Sequence, residues 1–179
     1  MRGAVVALAL TLWPLAASAT PEPAGYRMDE YRAPVPDTLA GARVLSTEAA
    51  HALWETGAAV FIDVLPRAPK PEGLPAGTVW REPPRRSIPG ATWMPNVGYG
   101  ALAEVNHAYF RDGLAAATGG DLNRPVVFFC LIDCWMSWNA ARRALAYGHT
   151  DVMWFPDGTD GWVFYDYPTE VLQPRPGGR

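Results

Sequence analysis

The chemistry that this sequence can perform is indicated first by its two cysteines, Cys130 and Cys134, which are four positions apart. Cys130 directly follows an apolar run, 126–129, and a segment of helical composition, 137–147, begins shortly after Cys134. A thiol between a buried strand and a helix receives backbone N–H groups and the positive end of the helix dipole, which lower its pKa from about 8.5. A buried, inert cysteine is the alternative. The position of Cys130 and the nearby second thiol favour a nucleophilic cysteine with a resolving partner.

A bond between the two cysteines would contribute little to stability. It is geometrically allowed if their Cα atoms lie within about 7 Å of each other. It would close a loop of five residues, for which the chain-entropy account gives roughly 2 kcal/mol, and it would join no distant segments. The spacing therefore favours a redox or sulfur-transfer role over a structural one, and the resting state of the pair stays open.

The amino terminus predicts export. Arg2 precedes an apolar run at 4–13, and Ala17-Ser18-Ala19 follows, which is the pattern of a secretory signal peptide over 1–19 with cleavage after Ala19. An uncleaved anchor is the alternative, although the run is about half the 20 residues that a membrane span needs. We therefore expect a periplasmic protein with no membrane span after cleavage. In an oxidising compartment the cysteines are a disulfide, an actively reduced pair, or thiols held by a ligand.

Composition excludes several classes of protein. Two cysteines among 179 residues exclude a disulfide-dense scaffold. The formal net charge is −3 and the basic residues do not cluster, which argues against a nucleic-acid partner. A hydrophobic content of 49% indicates a globular chain. The length predicts one domain.

The order of apolar and polar segments predicts an α/β fold. Helices are expected after Ser46, within 101–117 and over 137–147, and they alternate with strands near 59–65, 126–129 and 151–155. The continuous apolar strands indicate a mostly parallel central sheet with helices on both faces. Asp63 is the one acid within such a strand and needs an explanation.

Four further segments complete the predicted organisation. An extended arm is expected over 20–36, a single domain over 37–167 and a loose tail over 168–179. Within the domain, 66–87 is rich in proline and is predicted to be a long insertion loop. The glycine- and aspartate-rich stretch 157–162 is predicted to be a tight turn.

Several landmarks occur in an order that resembles a rhodanese-like domain. They are the helix and strand over 48–63, Ile88-Pro89-Gly90-Ala91, the strand into Cys130, and Asp157-Gly158 with Gly161-Trp162. More narrowly, Cys-Leu-Ile-Asp-Cys-Trp-Met-Ser-Trp-Asn-Ala-Ala at 130–141 resembles the exported cysteine-pair–Trp proteins associated with PQQ-dependent alcohol catabolism. The resemblance implies that Cys130 is the persulfide-forming cysteine and that the partner is a periplasmic redox or PQQ-dehydrogenase system.

The loop departs from the rhodanese pattern in its charge. Such loops usually carry an arginine, and the phosphatases of this fold need one to hold phosphate, yet 131–137 contains none. Asp133 would repel thiosulfate and raise the pKa of Cys130. The sequence therefore argues against phosphatase and thiosulfate sulfurtransferase activity. The residues expected to form or support the pocket are Asp63, Asp133, Trp135, Met136 and Ser137.

The remaining candidate residues near the cysteines are assigned structural roles. Trp138 is expected in the core, whereas Trp135 is as readily a pocket wall as a core residue. Ser137 and Asn139 are expected to cap the helix. Arg142 and Arg143 are expected on a solvated helix face.

No cofactor or metal is expected. Cys-x3-Cys with dispersed histidines is a weak metal pattern, and neither a haem-attachment motif nor a Gly-rich phosphate loop occurs. Three hypotheses stay open: a thiol protein acting in redox or sulfur transfer, a non-catalytic accessory or binding module of the same fold, and a metal-delivery protein.

Overall fold

A computed structural model describes residues 20–177 of the chain, so the predicted signal peptide lies outside the described residues. The central sheet has five strands in the order β1-β6-β5-β2-β4, and all its neighbouring strands are parallel. These strands are β1 (Arg43–Val44), β2 (Val60–Asp63), β4 (Thr92–Trp93), β5 (Val126–Phe129) and β6 (Val152–Phe155). The predicted α/β class with a mostly parallel central sheet is confirmed.

Helices cover both faces of the sheet. They are α1 (Thr47–Glu55), α2 (Glu104–Thr118), α3 (Trp135–Ala146) and α4 (Gly158–Phe164). Successive β5 side chains enter opposite cores, because Val126 and Phe128 pack with the residues of α2 and α3, whereas Val127 and Phe129 pack with those of α1 and α4. This two-sided burial explains why the strands read as continuous apolar runs.

The stretch over 157–162 was expected to be a tight turn and instead begins α4. Glycine and aspartate favour turns locally, but here tertiary contacts determine the conformation. Trp162 is fully buried, and the N–H of Thr159 donates to the carbonyl of Cys130 at 3.0 Å. The prediction of a turn is therefore wrong.

The Pro-rich loop and the tail also contain structure that the sequence did not predict. β3 (Arg85–Ser87) ends the loop and pairs antiparallel with β7 (Glu170–Leu172). Further along, the hydroxyl of Tyr109 donates to the carbonyl of Arg175 at 3.0 Å. The described part of the tail is therefore anchored to the domain, and the prediction of a loose tail is wrong.

Between residues 20 and 177, no helix is both long and apolar enough to cross a bilayer.

Candidate functional site

Cys130 and Cys134 lie at the two ends of a short loop at the carboxyl edge of the sheet. Cys130 follows the last residue of β5, and Cys134 is the N-cap residue of α3. Both are free thiols, with 0% and 2% of their respective surfaces exposed. In open parallel sheets this edge is where ligands bind. The structure thus brings both predicted cysteines into one buried position.

The thiol of Cys134 is the acidic member of the pair. A hydrogen bond from the Cys130 thiol is the largest cause, and it lowers the pKa of Cys134 to about 6. Backbone N–H groups of Met136 and Leu131 and the charge of Arg32 act in the same direction. Burial opposes these effects. The N–H of Met136 is one of the free donors at the start of α3, whereas Leu131 lies in the loop after β5.

Cys130 has the opposite character. Burial raises the pKa of its thiol, and the neighbouring Cys134 raises it further. Its Sγ lies 3.4 Å from the carbonyl oxygen of Cys134, close enough to donate a hydrogen bond. Burial therefore opposes the low pKa that the place of Cys130 at the strand end predicts. A thiolate and a protonated thiol in contact can attack a sulfur–sulfur bond and supply the proton that the leaving group needs.

Asp63 reaches the thiol pair through Arg85. The carboxylate of Asp63 accepts from Arg85 Nε at 2.7 Å and from the Ser87 hydroxyl at 2.5 Å. Arg85 Nη2 in turn lies 3.3 Å from the carbonyl oxygen of Cys130. Burial raises the pKa of Asp63, and the Arg85 guanidinium and these hydrogen bonds oppose that shift. Asp63 is thus explained as the counter-charge of a buried arginine that holds the end of β5.

Thr159 holds the same carbonyl from the other side. Its backbone N–H lies 3.0 Å and its Oγ1 3.2 Å from the oxygen of Cys130. The same Oγ1 accepts a hydrogen bond from Arg85 Nη1 at 3.3 Å. The start of α4 and the start of β3 therefore fix the backbone of Cys130 jointly.

Ser137 and Met136 contact the thiol loop from within α3. The Ser137 hydroxyl donates to the carbonyl of Cys134 at 3.1 Å and accepts from Trp154 Nε1 at 3.0 Å. Ser137 lies inside the helix rather than at its cap, so the predicted capping role is wrong. Met136 is buried, and a Cβ at Gly98 would clash with its backbone, which is why glycine occupies that position.

Trp135 belongs to the core rather than to an open pocket wall. It is buried and meets Trp138, which is buried as predicted, edge-to-face at a ring-centroid distance of 5.4 Å. The guanidinium of Arg27 lies 5.3 Å from the centre of the Trp135 ring. Trp135 therefore packs beneath the amino-terminal arm and next to the thiolate.

The amino-terminal arm covers the thiol pair. The N–H of Trp135 donates to the carbonyl of Tyr31 at 2.9 Å, and Arg32 forms an isolated bridge with Cys134. Asn139 clamps the arm, because its side chain accepts from the N–H of Arg27 and donates to the carbonyl of the same residue, both at 2.9 Å. The segment predicted as an extended arm thus forms part of the site, and the predicted capping role of Asn139 is wrong.

Two arginines of α3 also differ from expectation. Arg143 is buried and donates to the carbonyls of Val97, Tyr99 and Gly100 at 2.8–3.0 Å. Arg142 donates to the carbonyls of Pro23 and Ala24. Neither lies on a freely solvated face, because each satisfies the carbonyls of irregular segments that pack on α3.

Asp133 lies on the exposed side of the loop. Its φ of +50° is in the left-handed region, which aspartate tolerates better than most residues. Within residues 20–177, no group of three or more His, Cys, Asp and Glu side chains is arranged to hold a metal ion.

Residues that the sequence did not single out complete the site: Tyr31, Arg32, Arg85 and Thr159. Of these four, only Arg85 could have been anticipated from the sequence, because an acid such as Asp63 inside a buried strand requires a cation or several hydrogen-bond donors nearby. The other three reach the thiols through long-range contacts that no local pattern encodes.

No family model and no curated protein sequence matches the chain. Among solved structures, the fold is similar to a thiosulfate sulfurtransferase from Pseudomonas aeruginosa, with 20% identity, a TM-score of 0.49, and coverage of 75% of this chain and 21% of that one. It is also similar to the polysulfide-sulfur transferase homodimer from Wolinella succinogenes, with 19% identity, a TM-score of 0.42, and coverage of 75% of this chain and 82% of that one. A human single-domain sulfurtransferase is similar as well, with 23% identity, a TM-score of 0.42, and coverage of 69% of this chain and 96% of that one. This chain spans about a fifth of the length of the first of these proteins. At these identities the comparison concerns the α/β architecture alone.

Proposed function

We propose that this protein is a rhodanese-like thiol protein whose Cys130–Cys134 pair carries sulfur or exchanges disulfides. One observation carries the proposal: two buried free thiols lie at the ends of one short loop, with Cys134 at the start of α3 and the Sγ of Cys130 3.4 Å from the carbonyl oxygen of Cys134. A stabilised thiolate next to a second thiol is the arrangement that thiol–disulfide exchange requires. Cys134 is therefore the nucleophile and Cys130 the resolving residue, the reverse of what the sequence resemblance implies.

The reaction begins with attack of the Cys134 thiolate on a sulfur–sulfur bond. With a partner disulfide, that bond breaks, a mixed disulfide forms on Cys134 and one partner thiolate leaves. Cys130 then gives its proton to the second partner sulfur and attacks Cys134 Sγ. The products are the Cys130–Cys134 disulfide and a partner reduced by two electrons. With a persulfide, attack on the outer sulfur leaves a persulfide on Cys134 and releases the donor as a thiolate.

The burial of both thiols favours a second candidate function, a binding module that has kept the fold without turnover. The arm covers the pair, and Cys134 has 2% of its surface exposed. A reactive thiol is usually partly accessible. The two candidates differ in whether the native protein reacts.

The deciding experiment follows the reduced protein with glutathione persulfide and, separately, with a small chromogenic disulfide. Wild type should react with both. Cys130→Ser should accumulate a mixed disulfide at Cys134, and Cys134→Ser should fall to the rate of an unactivated thiol. If the native protein reacts with neither reagent and only the unfolded chain does, the binding-module candidate replaces the thiol protein.

The proposed setting is the periplasm, in support of a PQQ-dependent alcohol oxidation system. It is supported by the predicted signal peptide over 1–19 and by the sequence resemblance over 130–141. The exported protein should begin at Thr20 when its amino terminus is sequenced. Replacing the chromosomal copy with Cys134→Ser should slow growth on alcohols and leave growth on other carbon sources unchanged. Equal growth on alcohols would remove the link to this pathway.

A further inference from the structure

We propose that the surface around the loop between the two cysteines docks a protein partner whose contact region is apolar and surrounded by Lys and Arg. We call this surface the loop face and define it by Ile132, Val163, Phe164 and the cavity beside Ile132. The inference rests on the proposed function, because this partner presents the sulfur that reacts with Cys134.

The apolar part of the loop face is continuous with the thiol loop. The N–H of Ile132 donates to Asp160 of α4 at 2.9 Å. Val163 and Phe164 follow Asp160 by three and four positions in that helix, so they lie on its neighbouring turn. Val163 is 54% exposed and Phe164 83% exposed. A nearly bare aromatic ring next to other exposed apolar side chains is typical of an interaction surface.

A cavity of about 320 Å³ adjoins Ile132 on the other side. Val35 and Val44 contribute to its apolar lining, and its polar lining is carboxylate: Asp37, Asp133 and Asp157. A Lys or Arg side chain fits this chemistry, because its aliphatic stem can pack on the valines while its charged end meets the carboxylates.

The charge around the loop face determines which kind of partner can bind there. Residues 130–137 and 156–174 include Asp133, Asp157, Asp160, Asp166 and Glu170, and they include no Lys or Arg. Two exposed arginines border this surface: Arg32, which bridges Cys134, and Arg43, which pairs with Asp151 at 3.7 Å. The acidic groups therefore outnumber the basic ones. A second copy of this chain would bring acidic groups against acidic groups, and an anionic membrane surface would be repelled. A partner with a basic rim is therefore the complementary occupant.

The same loop separates a bound partner from the thiols. Ile132 and Asp133 are exposed, whereas the flanking Cys130 and Cys134 are buried. A partner seated on the loop face contacts the segment that has to move before a sulfur on that partner can reach Cys134. Docking and access to the thiolate thus involve the same residues.

The experiment uses two synthetic peptides as probes. Each has a central cysteine in a mixed disulfide with a chromogenic thiol, flanked by leucines and then by either arginines or glutamates. The arginine peptide should react with the reduced protein about tenfold or more faster than the glutamate peptide at low salt, and added salt should reduce the ratio. Val163→Ser and Asp37→Asn should each lower the rate with the arginine peptide severalfold.

Two matched control variants lie on α2, away from the loop face. Val105 is 54% exposed, as Val163 is, and Asp112 is exposed, so Val105→Ser and Asp112→Asn should leave both peptide rates unchanged. Equal rates for the two peptides, or equal effects of the test and control variants, would overturn the docking proposal alone. A dimer in sedimentation that Val163→Ser dissociates would overturn it in favour of a second copy. Failure of wild type to react with the small chromogenic disulfide would overturn the proposed function, and the docking proposal with it.

Discussion

Replacing Cys130 with alanine should raise the pKa of Cys134, because the Cys130 thiol donates the hydrogen bond that lowers that pKa most. A hydrogen bond to a charged group contributes about 1.5–3 kcal/mol, and one pKa unit corresponds to about 1.4 kcal/mol. The pKa of Cys134 should therefore rise from about 6 by roughly one to two units.

This change is large in terms of the thiolate population. A thiol with a pKa of about 6 is roughly 90% ionised at pH 7, whereas one with a pKa of about 7 to 8 is roughly 50% to 10% ionised. The backbone donors from Met136 and Leu131 and the charge of Arg32 remain in the variant. Burial, which raises the pKa, remains as well and opposes these groups. The pKa of the variant should therefore lie between that of wild type and that of a free cysteine, about 8.5.

The assay is a pH titration of thiolate ultraviolet absorbance, which does not require a reagent to reach the buried sulfur. Cys130→Ser is the matched control, because its hydroxyl keeps a donor at that position, and its midpoint should stay closer to that of wild type. Cys134→Ser should lose the low-pH step altogether. A Cys130→Ala midpoint equal to or below that of wild type would refute the account of why Cys134 is acidic.

Three further predictions concern the supports of the site and its pH dependence. Arg85→Met should destabilise the protein by about 3–5 kcal/mol in urea unfolding, because it leaves the Asp63 carboxylate buried without its cation. The control Arg86→Met, at the exposed neighbouring position, should change stability by less than about 0.5 kcal/mol. Equal effects of the two variants would contradict this role of Arg85. Asn139→Ala should release the amino-terminal arm, because the Asn139 side chain makes two hydrogen bonds to Arg27. Hydrogen exchange of the arm amides should then accelerate about tenfold or more. Unchanged exchange would show that other contacts hold the arm. The pKa of Cys134 is lowered on folding to about 6, so the unfolded chain binds more protons than the folded protein between that pH and about 8.5, and the stability of the reduced protein should rise with pH across that interval. The melting temperature of Cys134→Ser should depend less on pH over the same interval. The same pH dependence in the variant and in wild type would contradict the low pKa.

The three four-residue strands of the central sheet, β2, β5 and β6, were predictable because their burial is reflected in continuous apolar runs of the sequence, whereas the two-residue edge strand β1 was not predicted. The run Val126–Phe129 is apolar at every position because both faces of β5 are covered. α1 was predictable from a local signal too, since the side chain of Ser46 caps it by accepting from the N–H of Ala49.

The elements that the sequence missed depend on contacts between distant segments. β3 and β7 are three-residue strands that pair with each other although residues 88–169 separate them in the sequence, so neither is long enough to show an alternating pattern. α4 begins with residues that favour turns, and it forms because Trp162 is buried and Thr159 bonds to Cys130.

The composition of the site was partly predictable and its electrostatics were not. Cysteine type and spacing identified the pair, and Asp63 was identified as an acid that a strand should not contain. The order of acidity depends on which thiol is buried more deeply and on N–H groups that are positioned only in the fold. The same holds for Arg143, which is buried because three carbonyls of the 97–100 segment converge on it.

The central claim is that Cys134, and not Cys130, makes the first bond to an incoming sulfur. The most direct measurement is rapid-quench peptide mapping of the reduced wild-type protein mixed with one equivalent of glutathione persulfide. The added sulfur should appear first on the peptide fragment that carries Cys134. The Cys130–Cys134 disulfide should form only later, when the Cys130 thiol attacks Cys134 Sγ and the outer sulfur leaves as hydrogen sulfide. Sulfur that appears first on Cys130 would contradict the central claim.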